Sequence, residues 1–296
     1  MKKQYTTDVS MKGKVCIITG ANSGVGFETA LQLARHDAHV VMVCRDKTRG
    51  ETAKAKIDAE ATGPVDLVLG DLSSMKDVRA LAKTLLDNYP KIHVLINNAG
   101  VQYNTRQTTV DGYESVFAIN YLATFLLTRL LVDRIVASAP ARIINVSSKG
   151  HQFGGLDLND LHWEKRLYRG LKGYGSSKVA INLFTLLLSD KLKGTGVTVN
   201  AVHPGEVHSN IAMTNGPIYL FIRKNILNRM LEEPHHAGNA LYYVAASPGL
   251  SSITGKYFNM THQEKPWGES CNRSLGRTLW AISEQLTGLV KPVKTV

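Results

Sequence analysis

Tyr174 and Lys178 stand four residues apart in Tyr174-Gly175-Ser176-Ser177-Lys178, so a helix through them sets a phenol and an ammonium on one face. A tyrosine titrating at about 10 carries protons poorly at neutral pH. A neighbouring ammonium stabilises the phenolate and brings it towards working range, which makes Tyr174 a candidate acid/base and Lys178 the group that tunes it. Taken singly, each also reads as ordinary: Tyr174 as a half-buried aromatic, Lys178 as a solvated helix residue. Upstream, Asn145-Val146-Ser147-Ser148 closes an apolar run with two hydroxyls. Either could donate to an oxygen on which negative charge grows, or simply cap the end of a strand.

A second constellation lies near the start of the chain. Thr19-Gly20-Ala21-Asn22-Ser23-Gly24-Val25-Gly26 follows an apolar run and opens a helical pattern. Glycines let the chain turn tightly, so that free N–H groups at the helix start can approach a diphosphate without a Cβ in the way. The spacing Gly-x-x-x-Gly-x-Gly differs from the G-x-G-x-x-G of the standard dinucleotide fingerprint. The next strand ends Val43-Cys44-Arg45. An acid there would bind a ribose 2′-hydroxyl; a neutral thiol beside a guanidinium favours a 2′-phosphate and hence NADP(H), unless Arg45 merely pairs with Asp46. Asp71 and Leu72, after the third strand, are placed to meet the adenine, Asp71 reading alternatively as a turn residue.

These residues need a scaffold that brings strand ends together. Apolar, β-branched runs recur at 15–19, 40–44, 65–69, 94–97, 142–146 and 198–202, separated by helical periodicity at 26–35, 48–61, 74–88, 113–137 and 174–192. Short all-apolar strands alternating with long helices predict an α/β fold: a single doubly wound parallel sheet with helices on both faces. Further helices at 234–247 and 274–287 belong to the same layers, and no Pro/Ser-rich linker divides the chain, so one domain over 1–296 is expected. Ligands in such sheets bind outside the carboxyl ends of the strands, where every motif above falls.

Composition narrows the class. The 296 residues are 44% hydrophobic and 20% charged, with 25 glycines and 9 prolines. Disordered and collagen-like chains are excluded. The longest apolar stretch, 122–132, is interrupted by Thr124, Thr128 and Arg129 and falls short of the roughly 20 residues of a bilayer span. Residues 1–12 are a lysine-rich extension without the apolar region of a secretory signal, so a cytoplasmic protein is expected. Lys and Arg outnumber Asp and Glu 35 to 24, a formal charge of +11. The cations are dispersed, so no nucleic-acid partner is expected. Three cysteines without a CxxC pair indicate neither a disulfide framework nor a zinc site; His203 and His208 lack a third ligand at suitable spacing, and no metal is expected.

The glycine turn, Asn97-Asn98-Ala99-Gly100, Asn120, Ser148 and Tyr174-x-x-x-Lys178, in this order, resemble the short-chain dehydrogenase/reductase family over roughly 14–258. The resemblance implies a Rossmann-type fold and a nicotinamide cofactor held by Gly20, Asn22, Ser23, Gly24, Val25, Gly26, Asn98, Ala99 and Gly100. It assigns Lys178 the ribose hydroxyls of the nicotinamide as well, Ser148 rather than Ser147 the substrate oxygen, and Asn120 a water for proton relay. His203-Pro204-Gly205-Glu206-Val207-His208-Ser209 resembles the family's carboxamide-binding segment, which makes Pro204, Gly205, Val207 and Ser209 cofactor contacts.

Cys44-Arg45-Asp46, Gly255-Lys256-Tyr257-Phe258 and Arg277-Thr278-Leu279-Trp280 are similar to the retinol dehydrogenase and WW-domain-containing oxidoreductase branch. This implies a lipophilic alcohol or carbonyl substrate. Members of that branch commonly carry a membrane anchor or WW modules ahead of the catalytic domain, and neither is visible here. The interval between Ser148 and Tyr174 is longer than in compact relatives, so 151–172 is expected to loop out near the site. Residues 210–233 mix apolar and basic side chains and are expected to form a substrate lid, to pack in the core, or to touch an anionic membrane surface peripherally. The helices at 113–137 and 174–192 resemble dimerisation helices; Leu183, Phe184, Leu187 and Leu188 serve either a homodimer or the core.

Overall fold

Val and Ile fill the strand positions because a sheet covered on both faces has no solvent side for polar residues to occupy. A computed structural model describes residues 5–205 and 234–290. The strands are β1 (Val15–Thr19), β2 (His39–Cys44), β3 (Val65–Leu69), β4 (Val94–Asn97), β5 (Ala141–Val146), β6 (Val197–His203), β7 (Tyr257–Asn259) and β8 (His262–Glu264). They form one sheet of order β3-β2-β1-β4-β5-β6-β7-β8, parallel throughout except for the antiparallel β7–β8 pair at one edge. The order reverses between β1 and β4, which is where a ligand crevice opens in such sheets.

The helices are α1 (Gly24–Arg35), α2 (Lys47–Asp58), α3 (Met75–Asn88), α4 (Ser115–Ala137), α5 (Gly170–Lys191), α6 (Pro234–Ala246) and α7 (Arg273–Leu286). Two apolar layers result. One buries Ile17, Leu95 and Ile143 under α3, α4, α5 and α7; the other buries Ile18, Ile96 and Ile144 under α1, α2 and α6.

Two expectations need adjustment. The helix bearing Tyr174 begins at Gly170, so the phenol lies in its second turn and not at its head. The apolar stretch at 122–132 belongs to α4, whose 23 residues and mean hydropathy of 1.6 do meet the length and composition of a bilayer span. Of its apolar stretch 83% is buried inside the protein, so that surface is already covered by the chain itself. Leu183, Phe184, Leu187 and Leu188, weighed for a homodimer or for the core, are buried in the core, with Leu187 and Leu183 closing on Gly276 of α7. Residues 210–233, expected as a lid, lie outside the described residues.

Trp280 shows how α7 is fixed. Its ring stands edge-on to Phe125 at 5.1 Å and tilted against Phe184 at 5.7 Å, while Arg129 and Lys191 carry their cations over it at 5.0 and 4.9 Å. Replacing Trp280 by Ala is expected to destabilise the protein by about 3–5 kcal/mol, the range for a buried aromatic that leaves a cavity. Urea unfolding measures it; a loss below 1 kcal/mol would show that α7 is not part of the cooperative core.

Candidate active site

The glycine turn is built by contact with the next strand crossing. Gly20 and Gly24 hold φ of +68° and +55°, a region closed to most side chains. Asn98 Nδ2 donates to the carbonyls of Thr19 at 2.8 Å and Gly20 at 3.3 Å, and Thr19 Oγ1 accepts from the N–H groups of Asn98 and Ala99, both at 3.0 Å. A Cβ on Gly26 would sit 2.3 Å from the Gly20 carbonyl oxygen and 2.4 Å from Asn98 Nδ2. The start of α1 is thereby clamped to the ends of β1 and β4.

An elongated cavity of about 520 Å³ runs from this turn along the strand ends. At one end it is lined by Gly20, Asn22, Ser23, Gly24, Val25 and Gly26, with Arg45, Asp71 and Leu72; Asn98, Ala99 and Gly100 form its middle. At the other end stand Ser148, Tyr174, Lys178, Pro204 and Gly205. Val207 and Ser209 lie outside the described residues. An extended opening floored by glycines and by backbone N–H groups at a helix start fits a dinucleotide.

Asp46, weighed as the partner of Arg45, instead caps α2 by accepting from the Arg49 N–H at 2.9 Å. Asp71 does take its turn role, accepting from the Ser73 N–H at 2.8 Å, while still lining the cavity. Cys44 is buried and its thiol is pushed up to about 11, so the end of β2 carries no negative charge.

The reacting end is compact. Tyr174 hydrogen-bonds Ser148, and the Ser148 oxygen accepts from the Gly150 N–H at 3.0 Å. Ser147 lines the same cavity with its hydroxyl unpaired among the described residues. Lys178 is 3% exposed; its Nζ donates to the Val146 carbonyl at 2.8 Å and lies 5.4 Å from the centre of the Tyr174 ring. Burial brings the ammonium down to about 8. The phenol departs from expectation: burial raises its pKa above the ordinary tyrosine value, against a smaller lowering by the Ser148 hydrogen bond. Burial is the largest influence on the phenol, and the Lys178 ammonium stands 5.4 Å from the centre of its ring.

Asn120 sits in a π turn, Ala118–Leu122, within α4. It does not line the cavity; its Oδ1 accepts from the Val101 N–H at 2.8 Å, and its Nδ2 donates to the Val101 carbonyl and to Ser177 Oγ, both at 3.0 Å. It therefore braces the loop after β4 and the helix of Tyr174.

Sequence reasoning missed several lining residues. Arg49 stands on the first turn of α2, one helical turn after Arg45, a spacing that could have been noticed. Phe153 and Leu171, both more than half exposed, form apolar lips at the Tyr174 end. Nothing local marks them; they come from the segment expected to loop out, which is ordered and tethered, Gly154 lying so near Gly175 that a Cβ would reach 2.1 Å from its carbonyl carbon.

The doubly wound sheet with this cleft at its strand ends is that of a nicotinamide-dependent oxidoreductase once the family is known, and the model of the short chain dehydrogenase family matches residues 14–217. The chain belongs to that family. It is 39% identical over 296 residues to human retinol dehydrogenase 13, covering 96% of this chain and 87% of the relative, and 40% identical over 285 residues to mouse retinol dehydrogenase 12, covering 96% and 89%. Among solved structures, an uncharacterised protein from Mycobacterium paratuberculosis superposes with a TM-score of 0.77 at 31% identity, covering 97% of this chain and 98% of that one.

Substituting Gly26 by Ala is expected to cost about 2 kcal/mol, since backbone must move to admit the methyl group, and to abolish cofactor binding. Thermal unfolding together with NADPH fluorescence titration tests this; native stability with full binding would show that the clamp between α1 and β4 is slack.

Proposed function

We propose that the protein interconverts a lipophilic, retinal-like aldehyde or ketone and its alcohol, with NADP(H) as hydride carrier. The observation that carries this reading is the convergence of Tyr174, Ser148 and Lys178 at one end of a cleft whose other end presents Arg45 and Arg49 beside the neutral Cys44. Two guanidinium groups at the end of β2 suit a 2′-phosphate, and the thiol offers nothing to a 2′-hydroxyl that an acid would bind. The names of the relatives, retinol dehydrogenases 12 and 13, support the substrate class. Phe153 and Leu171 supply apolar surface where such a substrate would enter.

When bound, the cofactor supplies or accepts the hydride at the carbonyl carbon. In the reducing direction Ser148 donates a hydrogen bond to the substrate oxygen as charge grows there, and Tyr174 transfers its phenolic proton to the same oxygen. Burial keeps the phenol protonated before transfer, and the Lys178 ammonium beside it stabilises the phenolate that transfer leaves. Lys178, tethered to the Val146 carbonyl, is placed beside the phenol to hold the cofactor's ribose hydroxyls and to offset charge left on the oxygen. Asn120 acts behind this pair as a brace.

Tyr174→Phe is expected to lower kcat for retinal reduction by at least about 100-fold while leaving NADPH affinity intact. Arg45→Ala and Arg49→Ala are each expected to weaken NADPH binding by about tenfold and to leave NADH binding nearly unchanged. Steady-state kinetics with both cofactors and fluorescence titration read these effects. Turnover surviving in Tyr174→Phe overturns the mechanism, and a preference for NADH overturns the cofactor assignment.

A further inference from the structure

His151 is buried, and both nitrogens of its ring are bonded. Nδ1 lies 2.6 Å from the Ser148 carbonyl oxygen, and Nε2 lies 3.0 Å from the backbone nitrogen of Trp267. A carbonyl only accepts and a backbone N–H only donates, so the ring is neutral and carries its hydrogen on Nδ1. Burial favours the same state, holding His151 below the ordinary histidine value against a smaller raising by the Ser148 bond. The backbone N–H of His151 donates to that carbonyl as well, at 3.2 Å. One residue thus makes two bonds to the peptide that follows Ser148.

Both sides of this contact lead to Tyr174. On the near side, Ser148 opens a short 3-10 turn, Lys149–Phe153, that lies against the phenol. Its hydroxyl hydrogen-bonds Tyr174, and a Cβ on Gly150 would come 2.9 Å from Tyr174 Cε1. On the far side, Trp267 opens the turn Gly268–Cys271, which is tied back to the tyrosine's own helix where Asn182 Nδ2 donates to Ser270 Oγ at 3.3 Å. Glu269 Oε2 accepts from the Leu156 N–H at 2.9 Å and fixes the same turn to the loop between Ser148 and Tyr174. The contacts close a circuit that runs from Ser148 through His151, Trp267, Ser270 and Asn182, then along α5 to Tyr174 and back to Ser148. In such a circuit the serine cannot shift against the phenol without straining a bond of the imidazole. His151 does not line the cleft, so any part it takes is taken through Ser148.

We infer that His151 is a positioning residue for the reaction: its imidazole, anchored on the Trp267 N–H, holds the Ser148 carbonyl and so sets the serine hydroxyl against Tyr174. This rests on the proposed role of Ser148 as donor to the substrate oxygen. A hydrogen bond that strengthens as charge grows on that oxygen needs a fixed distance, and a misplacement of about 1 Å costs up to about 100-fold in rate. His151 supplies the fixity without meeting substrate or cofactor, and its ring exchanges no proton during turnover. The effect falls on kcat and spares NADPH affinity, because the glycine turn, Arg45 and Arg49 lie at the other end of the cleft.

Two substitutions separate the two ring contacts, because the amide of asparagine reaches the place of Nδ1 and that of glutamine the place of Nε2. His151→Gln is expected to lower kcat for NADPH-dependent retinal reduction by about 10- to 100-fold, with NADPH affinity and melting temperature near wild type; His151→Asn is expected to stay within about threefold of wild type. Added to Ser148→Ala, His151→Gln is expected to slow turnover no further, since a residue that acts through the hydroxyl then has nothing left to position. A role confined to anchoring the Trp267 turn predicts the reverse order of the two variants, or equal losses that follow the melting temperature, and either result overturns the inference. So does wild-type kcat in His151→Gln, a multiplied loss in the double variant, or failure of both His151 variants to fold. Wild-type kcat in Ser148→Ala removes the role proposed for the serine itself. Slow turnover in Ser148→Ala beside normal turnover in His151→Gln removes the positioning residue alone.

Discussion

The arrangement depends on one buried ammonium. Lys178 spends its charge on the carbonyl of Val146, the last residue of β5, so a single hydrogen bond of 2.8 Å ties the middle of α5 to the strand end from which Ser147 and Ser148 emerge. An unpaired cation at 3% exposure would not survive in this setting, and burial already weakens its hold on the proton. With Lys178 fixed, the preceding turn of the helix delivers Tyr174 to Ser148, and the following turn delivers Asn182, whose Nδ2 donates to Ser270 Oγ at 3.3 Å. Removal of the contact would release both the helix and the serine loop.

The sheet then acts as a ruler. Strand ends at β1, β4, β5 and β6 advance side by side, and each is followed by residues that need close approach: the glycine turn, Asn98 to Gly100, Ser148 and Pro204 to Gly205. Behind those ends a buried polar ladder holds the layers in register. Asn97 Nδ2 donates to Thr128 Oγ1 at 2.9 Å and to Asn145 Oδ1 at 2.8 Å, and Asn145 passes the connection to Thr185. It joins β4 and β5 to α4 and α5 beneath the site. Such a ladder specifies one alignment of helix against strand, which apolar packing alone would leave free to slide.

Much of this was legible in the sequence because it is local. Strands β1, β3 and β4 fall where the apolar runs place them, and the residues expected at the strand ends line one cavity wherever they are described. The remainder depends on long-range contacts. The raised pKa of Tyr174 could not be read from Tyr-x-x-x-Lys, because spacing shows that an ammonium is near but not that the phenol is buried. Asn120 retreats from the cleft for a similar reason: Val101 and Ser177, remote in sequence, satisfy its amide. The β7–β8 hairpin is too short, at three residues a strand, to show a period. His203, seen in the sequence only as a histidine without metal partners, closes β6, and the pairing of β6 with β5 and β7 is what places it in the sheet.

The segment between Ser148 and Tyr174 explains how an exposed apolar mouth can coexist with an ordered site. Its anchors are polar and buried. Glu114, with no exposed surface, accepts from the N–H groups of Val116 and Phe117 at 2.9 and 2.7 Å and from the Tyr168 hydroxyl at 3.1 Å. Asp160 receives the N–H of Glu164 at 2.7 Å and pairs with Arg166, which stacks over Trp163 at 3.8 Å. His151 links the two sides, its Nδ1 meeting the Ser148 carbonyl at 2.6 Å and its Nε2 accepting from the Trp267 N–H at 3.0 Å. With these contacts setting the backbone, Phe153 and Leu171 are free to stay apolar and exposed, since nothing in their own packing is required to hold the loop. A mouth fixed from below in this way can present a greasy surface to substrate without collapsing onto it.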